Sequence, residues 1–177
     1  MREFDAAMLG GGKRVNRSGI RPLVLFAAPL LAILFQVYVP RFVEPLAYLE
    51  LPLLLTVYFA LMKRHPIKGS LIGAAIGLAQ DALSHLPLGL FGIVKTLVGY
   101  FAASVSQRFD VGNPALRFLL SFFFFLFHQF FHWVLARALL GQQWSLHPTQ
   151  AVMVSFLNAV IAAPLFLVLD KLKVEGR

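Results

Sequence analysis

The chain has 177 residues, 59% of them hydrophobic, with a mean hydropathy of +0.76 and a net charge of +8. Soluble domains carry an apolar share nearer ~45–50%, so a soluble enzyme is excluded and the chain reads as an all-α, polytopic membrane protein. It has no cysteine, which removes disulfides and thiol metal sites. The placement of its basic residues argues for membrane topology and against nucleic acid.

Residues 1–21 are polar, basic and glycine-rich, with Gly10, Gly11 and Gly12 in a row, and are expected to form a mostly disordered cytoplasmic tail. A bilayer core needs about 20 apolar residues as a helix. Six segments approach that length: 22–39, 46–62, 66–84, 88–107, 115–140 and 148–170, followed by a short tail at 171–177. The first is followed by Pro40 and Arg41, with no small-residue cleavage site, and reads as a retained span, not a signal peptide. The third is the least apolar because Gln80 and Asp81 sit near its end. If it only re-entered the membrane, the orientation of everything after it would flip.

Charge placement supports six spans. With the N-terminus inside, the inner side collects Arg2, Lys13, Arg14, Arg17, Arg21, Lys63, Arg64, Lys68, Arg108, Arg117, Lys171, Lys173 and Arg177. The outer side holds Arg41 and Arg137, and Lys95 falls within a span. Short cytoplasmic loops are the basic ones, so both termini are expected inside, with some attraction to anionic lipid.

Lipid gives helices no hydrophobic reason to associate, so close packing needs small residues. Gly69, Gly73 and Gly77 recur at four-residue spacing in the third span, and Gly92, Gly99 and Ala103 continue the theme in the fourth. Ala28 with Ala32, and Ala159 with Ala163, are weaker versions. These stripes serve packing inside this bundle or docking of a partner helix.

Ionisable groups inside a span are costly unless paired. Glu50 is placed about four residues into the second span, Asp81 near the outer end of the third, and Lys95 in the outer half of the fourth. Asp81 and Lys95 flank the Pro87–Gly89 turn of a helical hairpin and are expected to form a direct or water-bridged ion pair. Glu50 is the alternative partner, and simple exposure of Glu50 and Asp81 to interfacial water competes with both. His128 and His132, at i and i+4, share a face in the fifth span, and Asn158 lies midway along the last. A metal would need further ligands, which acidic groups could supply, but no recognised zinc-binding sequence is present, so hydrogen bonding within the bundle or to a partner is the reading. No phosphate loop, nucleophile elbow or HExxH motif is present. No catalytic, metal or cofactor site is expected.

One stretch goes further. Gly77-Leu-Ala-Gln-Asp-Ala-Leu-Ser, then Pro87-Leu-Gly-Leu-Phe-Gly and Lys95-Thr-Leu-Val-Gly-Tyr, resembles the MreD family of the bacterial rod-shape machinery. The family shares a G-x-x-x-D span end, a P-x-G turn and a lysine in the next span, in that order. Glu50-Leu-Pro in the second span fits too. The resemblance implies a non-catalytic scaffold of the bacterial cytoplasmic (inner) membrane. Its implied partner is MreC, and through it MreB, RodA and a penicillin-binding protein, organising side-wall peptidoglycan synthesis; membrane lipid and a second copy of the chain are further partners it leaves open. It also implies a fold like the S component of energy-coupling-factor transporters, in which Ala28 and Ala32 match a partner-docking pair. That likeness carries the alternative function, a vitamin-binding transporter subunit.

Overall fold

Among the residues described by the computed structural model (19–20, 22–84, 87–141 and 147–174), helices begin where the sequence places a proline. These are α1 (Pro22–Tyr38), α3 (Pro66–Leu83), α5 (Pro114–Leu140) and α6 (Pro148–Lys171). In α2 (Leu51–Lys63) Pro52 occupies the first turn, and α4 (Leu90–Val105) follows a tight turn at Gly89. Proline is suited to a first turn because its missing N–H would have no helical partner there. The Asn113 side chain caps α5 by accepting the Ala115 N–H at 2.9 Å.

The expected all-α polytopic membrane architecture is what the chain adopts. Helix α2 is the axis of the bundle. Every residue from Pro52 to Leu61 is buried, and α2 touches all the other helices. A helix apolar all round belongs in a core. The others follow one another around it in the order α1, α3, α4, α5, α6. Their outward faces are apolar, with Phe26, Leu31, Leu71, Phe123, Phe156 and Leu167 exposed, as a lipid-facing surface requires. The phenylalanine run of α5 is divided between the two environments: Phe124 and Phe125 are buried and Phe123 is exposed.

Four stretches, Pro22–Arg41, Glu44–Lys63, Pro114–Leu140 and Pro148–Lys171, are long and apolar enough to cross a membrane. Helices α3 and α4 make up the remaining hairpin. Helix α4 has 16 residues, and α3 is diluted by glycines, Lys68, Gln80 and Asp81.

The glycine stripe fastens that hairpin from within. A Cβ on Gly69 would lie 2.3 Å from the Gly99 carbonyl oxygen, one on Gly73 2.0 Å from that of Lys95, and one on Gly77 2.3 Å from that of Phe91. Backbone therefore rests on backbone along three turns, as the spacing predicts for packing within the bundle. Gly99 reciprocates: its Cβ would meet the Gly69 oxygen at 2.2 Å. The Ala28 and Ala32 pair also faces inward. Ala32 is buried and Ala28, partly buried, packs on the same core cluster.

At the end where α1 begins and α6 finishes, Gly19–Ile20 pairs antiparallel with Lys173–Val174. This backbone pairing joins the segments that enter and leave the bundle, within what the sequence places in two tails. The rest of those tails, 1–18, 21 and 175–177, lies outside the described residues.

Candidate functional site

The candidate polar residues lie at the end of the bundle away from the Gly19–Ile20 and Lys173–Val174 pairing, where α2, α4 and α6 begin and α3 ends. Asp81 is completely buried, and its carboxylate accepts three backbone N–H groups, from Gly89 (3.0 Å), Phe91 (3.1 Å) and Gly92 (3.0 Å). These are the cap and first-turn donors of α4, groups that a helix cannot satisfy internally. Gly89 has the positive φ of 103° that the turn needs and no side chain to cap with, so Asp81 caps α4 from the neighbouring helix. A carboxylate there also complements the positive end of the helix dipole.

The expected direct Asp81–Lys95 ion pair does not form: the Asp81 carboxylate is held by those amides. Lys95 is also fully buried and turns to Glu50, with Nζ 3.3 Å from Oε2. It donates a second, short hydrogen bond to Gln80 Oε1, and its ammonium sits 4.5 Å from the centre of the Phe91 ring. Gln80 was visible in the sequence only as an interruption of an apolar segment, although a buried amide one residue before Asp81 was a signal in itself.

Glu50 is not four residues into a helix, as placed from sequence. It is the residue before α2, after a short 3-10 turn at Glu44–Tyr48. Pro52 has no N–H to give the Tyr48 carbonyl four residues back, so the helix cannot continue through it. Asn158 repairs the break. Its Oδ1 accepts the Glu50 N–H at 2.9 Å, and its Nδ2 donates to the carbonyls of Tyr48 (2.7 Å) and Val154 (2.9 Å). Irregular backbone at membrane depth is tolerated only when satisfied in this way. Asn158→Leu keeps the size but strands the Glu50 N–H and the Tyr48 carbonyl. It should cost about 1–3 kcal/mol per group in a detergent unfolding titration, whereas Val152→Leu on the exposed face should leave the midpoint unchanged.

His128 and His132 stack with Phe91. The His128 ring is 5.7 Å from it at 2°, and that of His132 4.9 Å from it at 24°. His128 is 4% exposed, and neither of its ring nitrogens has a hydrogen-bond partner among the described residues. Both histidines, with Glu50, Gln129 and Trp133, line a cavity of about 300 Å³ that the α2 and α6 N-termini help to wall. No group of three or more potential metal ligands occurs among the described residues.

A second polar knot sits at the opposite end; its Arg117 and Lys173 were read from sequence only as topology charge, and Asp170 only as the end of the last span. Asp170 pairs with Arg117 and, at 2.5 Å, with Lys173. It also accepts the Tyr58 hydroxyl at 2.9 Å. One carboxylate thereby ties α2, α5 and α6 together.

Buried polar groups that fasten apolar helices, with a cavity at one end, define a polytopic membrane protein whose own helices are held together by interior polar contacts. The family model of the rod shape-determining protein MreD matches residues 16–174, and the chain belongs to that family. Its role is in the determination of bacterial rod shape. No curated protein and no solved structure gives a match.

Proposed function

We propose that the chain is a non-catalytic scaffold of the elongasome in the bacterial inner membrane, binding MreC and so linking MreB, RodA and its penicillin-binding protein in side-wall peptidoglycan synthesis. The observation that carries this reading is the use of the interior polar groups. Asp81, Asn158 and the Lys95–Glu50–Gln80 cluster each tie one helix to another, and among the described residues no nucleophile stands beside a base. Glu50, His128 and Gln129 line the cavity at that end, and we assign the MreC contact to it. Tagged MreC should retain the wild-type chain through purification and release Ala47→Trp, which crowds the cavity from its exposed rim. Failure of MreC to retain the wild type would overturn the reading.

The scaffold is oriented with both termini in the cytoplasm and the cavity outward. The basic residues of the two tails and of the inner connections support this, as does the pairing of Gly19–Ile20 with Lys173–Val174, which needs both ends on one side. A fluorescent protein fused after Arg177 should fluoresce, and alkaline phosphatase fused there should be inactive. The reverse pattern would refute a cytoplasmic C-terminus. The cavity volume also falls at the lower end of small-ligand clefts, which favours, as a second reading, an S-component-like vitamin-binding subunit. Titration of the purified chain with water-soluble vitamins separates the two.

A further inference from the structure

Glu50 and His128 leave hydrogen-bonding capacity unused on the wall of one cavity. Lys95 Nζ occupies Oε2 of Glu50, and the other carboxylate oxygen has no hydrogen bond among the described residues. His128 is the stronger case. It is buried, and neither ring nitrogen has a partner among the described residues, a state that buried polar atoms rarely occupy. A phenylalanine would fill the place beside Phe91 and Phe125 without that cost. The imidazole is therefore informative about what enters the cavity.

Charge narrows the choice. The Lys95 ammonium and the Glu50 carboxylate lie 3.3 Å apart and neutralise each other. A cation in the cavity would gain Glu50 and face Lys95, and an anion the reverse, where an unbalanced buried charge is costly. An uncharged group avoids both. It must donate a hydrogen bond to the free oxygen of Glu50. A neutral imidazole presents one N–H donor and one acceptor nitrogen, so the entering group needs an acceptor as well. A carboxamide and a hydroxyl each have both. Phe91, Phe125 and Trp133 complete the wall and favour a planar or apolar body behind the polar group. At about 300 Å³, the small end of ligand clefts, the space suits a body of one ring.

We propose that the cavity binds an uncharged group with both a donor and an acceptor, a carboxamide or hydroxyl on a one-ring or apolar stem. Glu50 accepts from it and His128 pairs with it. The proposal rests on the reading of this cavity as a binding site and names what is bound there. A side chain of MreC and a free small molecule both supply this chemistry.

A series of one-ring compounds tests it. Benzamide and benzyl alcohol carry donor and acceptor. N,N-dimethylbenzamide keeps the carbonyl and loses the donor, and benzoate and benzylammonium are charged. Dissociation constants are measured by ligand-observed NMR on the unaltered chain in nanodiscs, with empty nanodiscs subtracted. Benzamide and benzyl alcohol should bind saturably and at least about tenfold tighter than the other three, since each of those leaves a buried group unpaired or a charge unbalanced. His128→Phe keeps a ring beside Phe91 without nitrogens. It should weaken benzamide at least about fivefold and leave dimethylbenzamide unchanged. Dimethylbenzamide binding as tightly as benzamide would overturn the proposal. So would tighter binding of benzoate, which the α2 and α6 N-termini would favour, or of benzylammonium, which Glu50 would favour. No saturable binding by any of them, or an unchanged benzamide affinity in His128→Phe, would overturn it too. Should that variant fail to fold, benzamide against dimethylbenzamide on the unaltered chain decides. Saturating benzamide then separates the sources: it releases the chain from tagged MreC if an MreC side chain fills the cavity, and leaves it retained if the ligand is a free molecule. Failure of MreC to retain the chain at all refutes the partner and leaves the ligand chemistry standing, whereas equal affinities across the series refute the chemistry and leave the partner standing.

Discussion

Gly73→Leu should abolish the folded protein. A Cβ at residue 73 would lie 2.0 Å from the Lys95 carbonyl oxygen, 2.6 Å from its carbonyl carbon and 3.1 Å from the Thr96 nitrogen. All three are backbone atoms in the middle of α4 and cannot turn aside as a side chain could. Ordinary contact would require α3 and α4 to separate by more than about 1 Å along their whole length, which also draws Asp81 away from the α4 amides. Overpacking typically costs about 1–3 kcal/mol. This position should exceed that range even as Gly73→Ala, and the leucine variant should give no monodisperse peak on size exclusion. Gly92 supplies the internal comparison. Its Cβ would meet Leu78 Cδ2 at 2.8 Å, the flexible end of an exposed side chain, so Gly92→Ala should fold. A Gly73→Leu protein of wild-type yield and stability would mean that the hairpin is not packed through its glycines.

The hairpin was largely legible in the sequence, since a four-residue glycine repeat has few uses in lipid other than close approach of backbones. The family was legible from the same stretch. The partner of each charged group was not. An aspartate written one turn before a Pro-x-Gly corner looks the same whether it neutralises a lysine or caps a helix. What decides is the path of the turn, which aims the first N–H groups of α4 at residue 81. Neighbouring residues on a helix point about 100° apart, so Gln80 and Asp81 serve different partners, and only the fold reveals that the amide goes to Lys95. Glu50 was misplaced for a related reason. Hydropathy runs smoothly across Leu46 to Met62, whereas the hydrogen-bond ladder is broken at Pro52. Asn158, read as a lone polar group, is the answer to that break from more than a hundred residues away. The Asp170 knot was hidden because charges at helix ends had already been explained by topology.

The second large effect is expected at Lys95 and Glu50, and the two should not be equivalent. Removing one partner of a buried pair strands the other, at a cost of about 3–5 kcal/mol. The side chain of Lys95 has no exposure, while that of Glu50 is 15% exposed at the cavity. Glu50→Leu therefore strands an ammonium with only Gln80 and the Phe91 face for company, whereas Lys95→Met leaves a carboxylate that water in the cavity can reach. Glu50→Leu should be the worse single variant, at the upper end of that range, with Lys95→Met below it. Each loss should appear as a lower unfolding midpoint in detergent and as rounding of rod-shaped cells that depend on the variant. The double variant Glu50→Leu/Lys95→Met buries neither charge and should lose less than the sum of the singles, by an interaction energy of about 0.5–3 kcal/mol as expected for residues in contact. Asp81→Asn combined with Lys95→Met should come much closer to additivity, because Asp81 acts on the α4 amides and not on the ammonium. Additive losses at Glu50 and Lys95, or strong coupling of Asp81 to Lys95 in their place, would show that the lysine is held by the wrong carboxylate in this description and that the cap on α4 is not what keeps Asp81 buried.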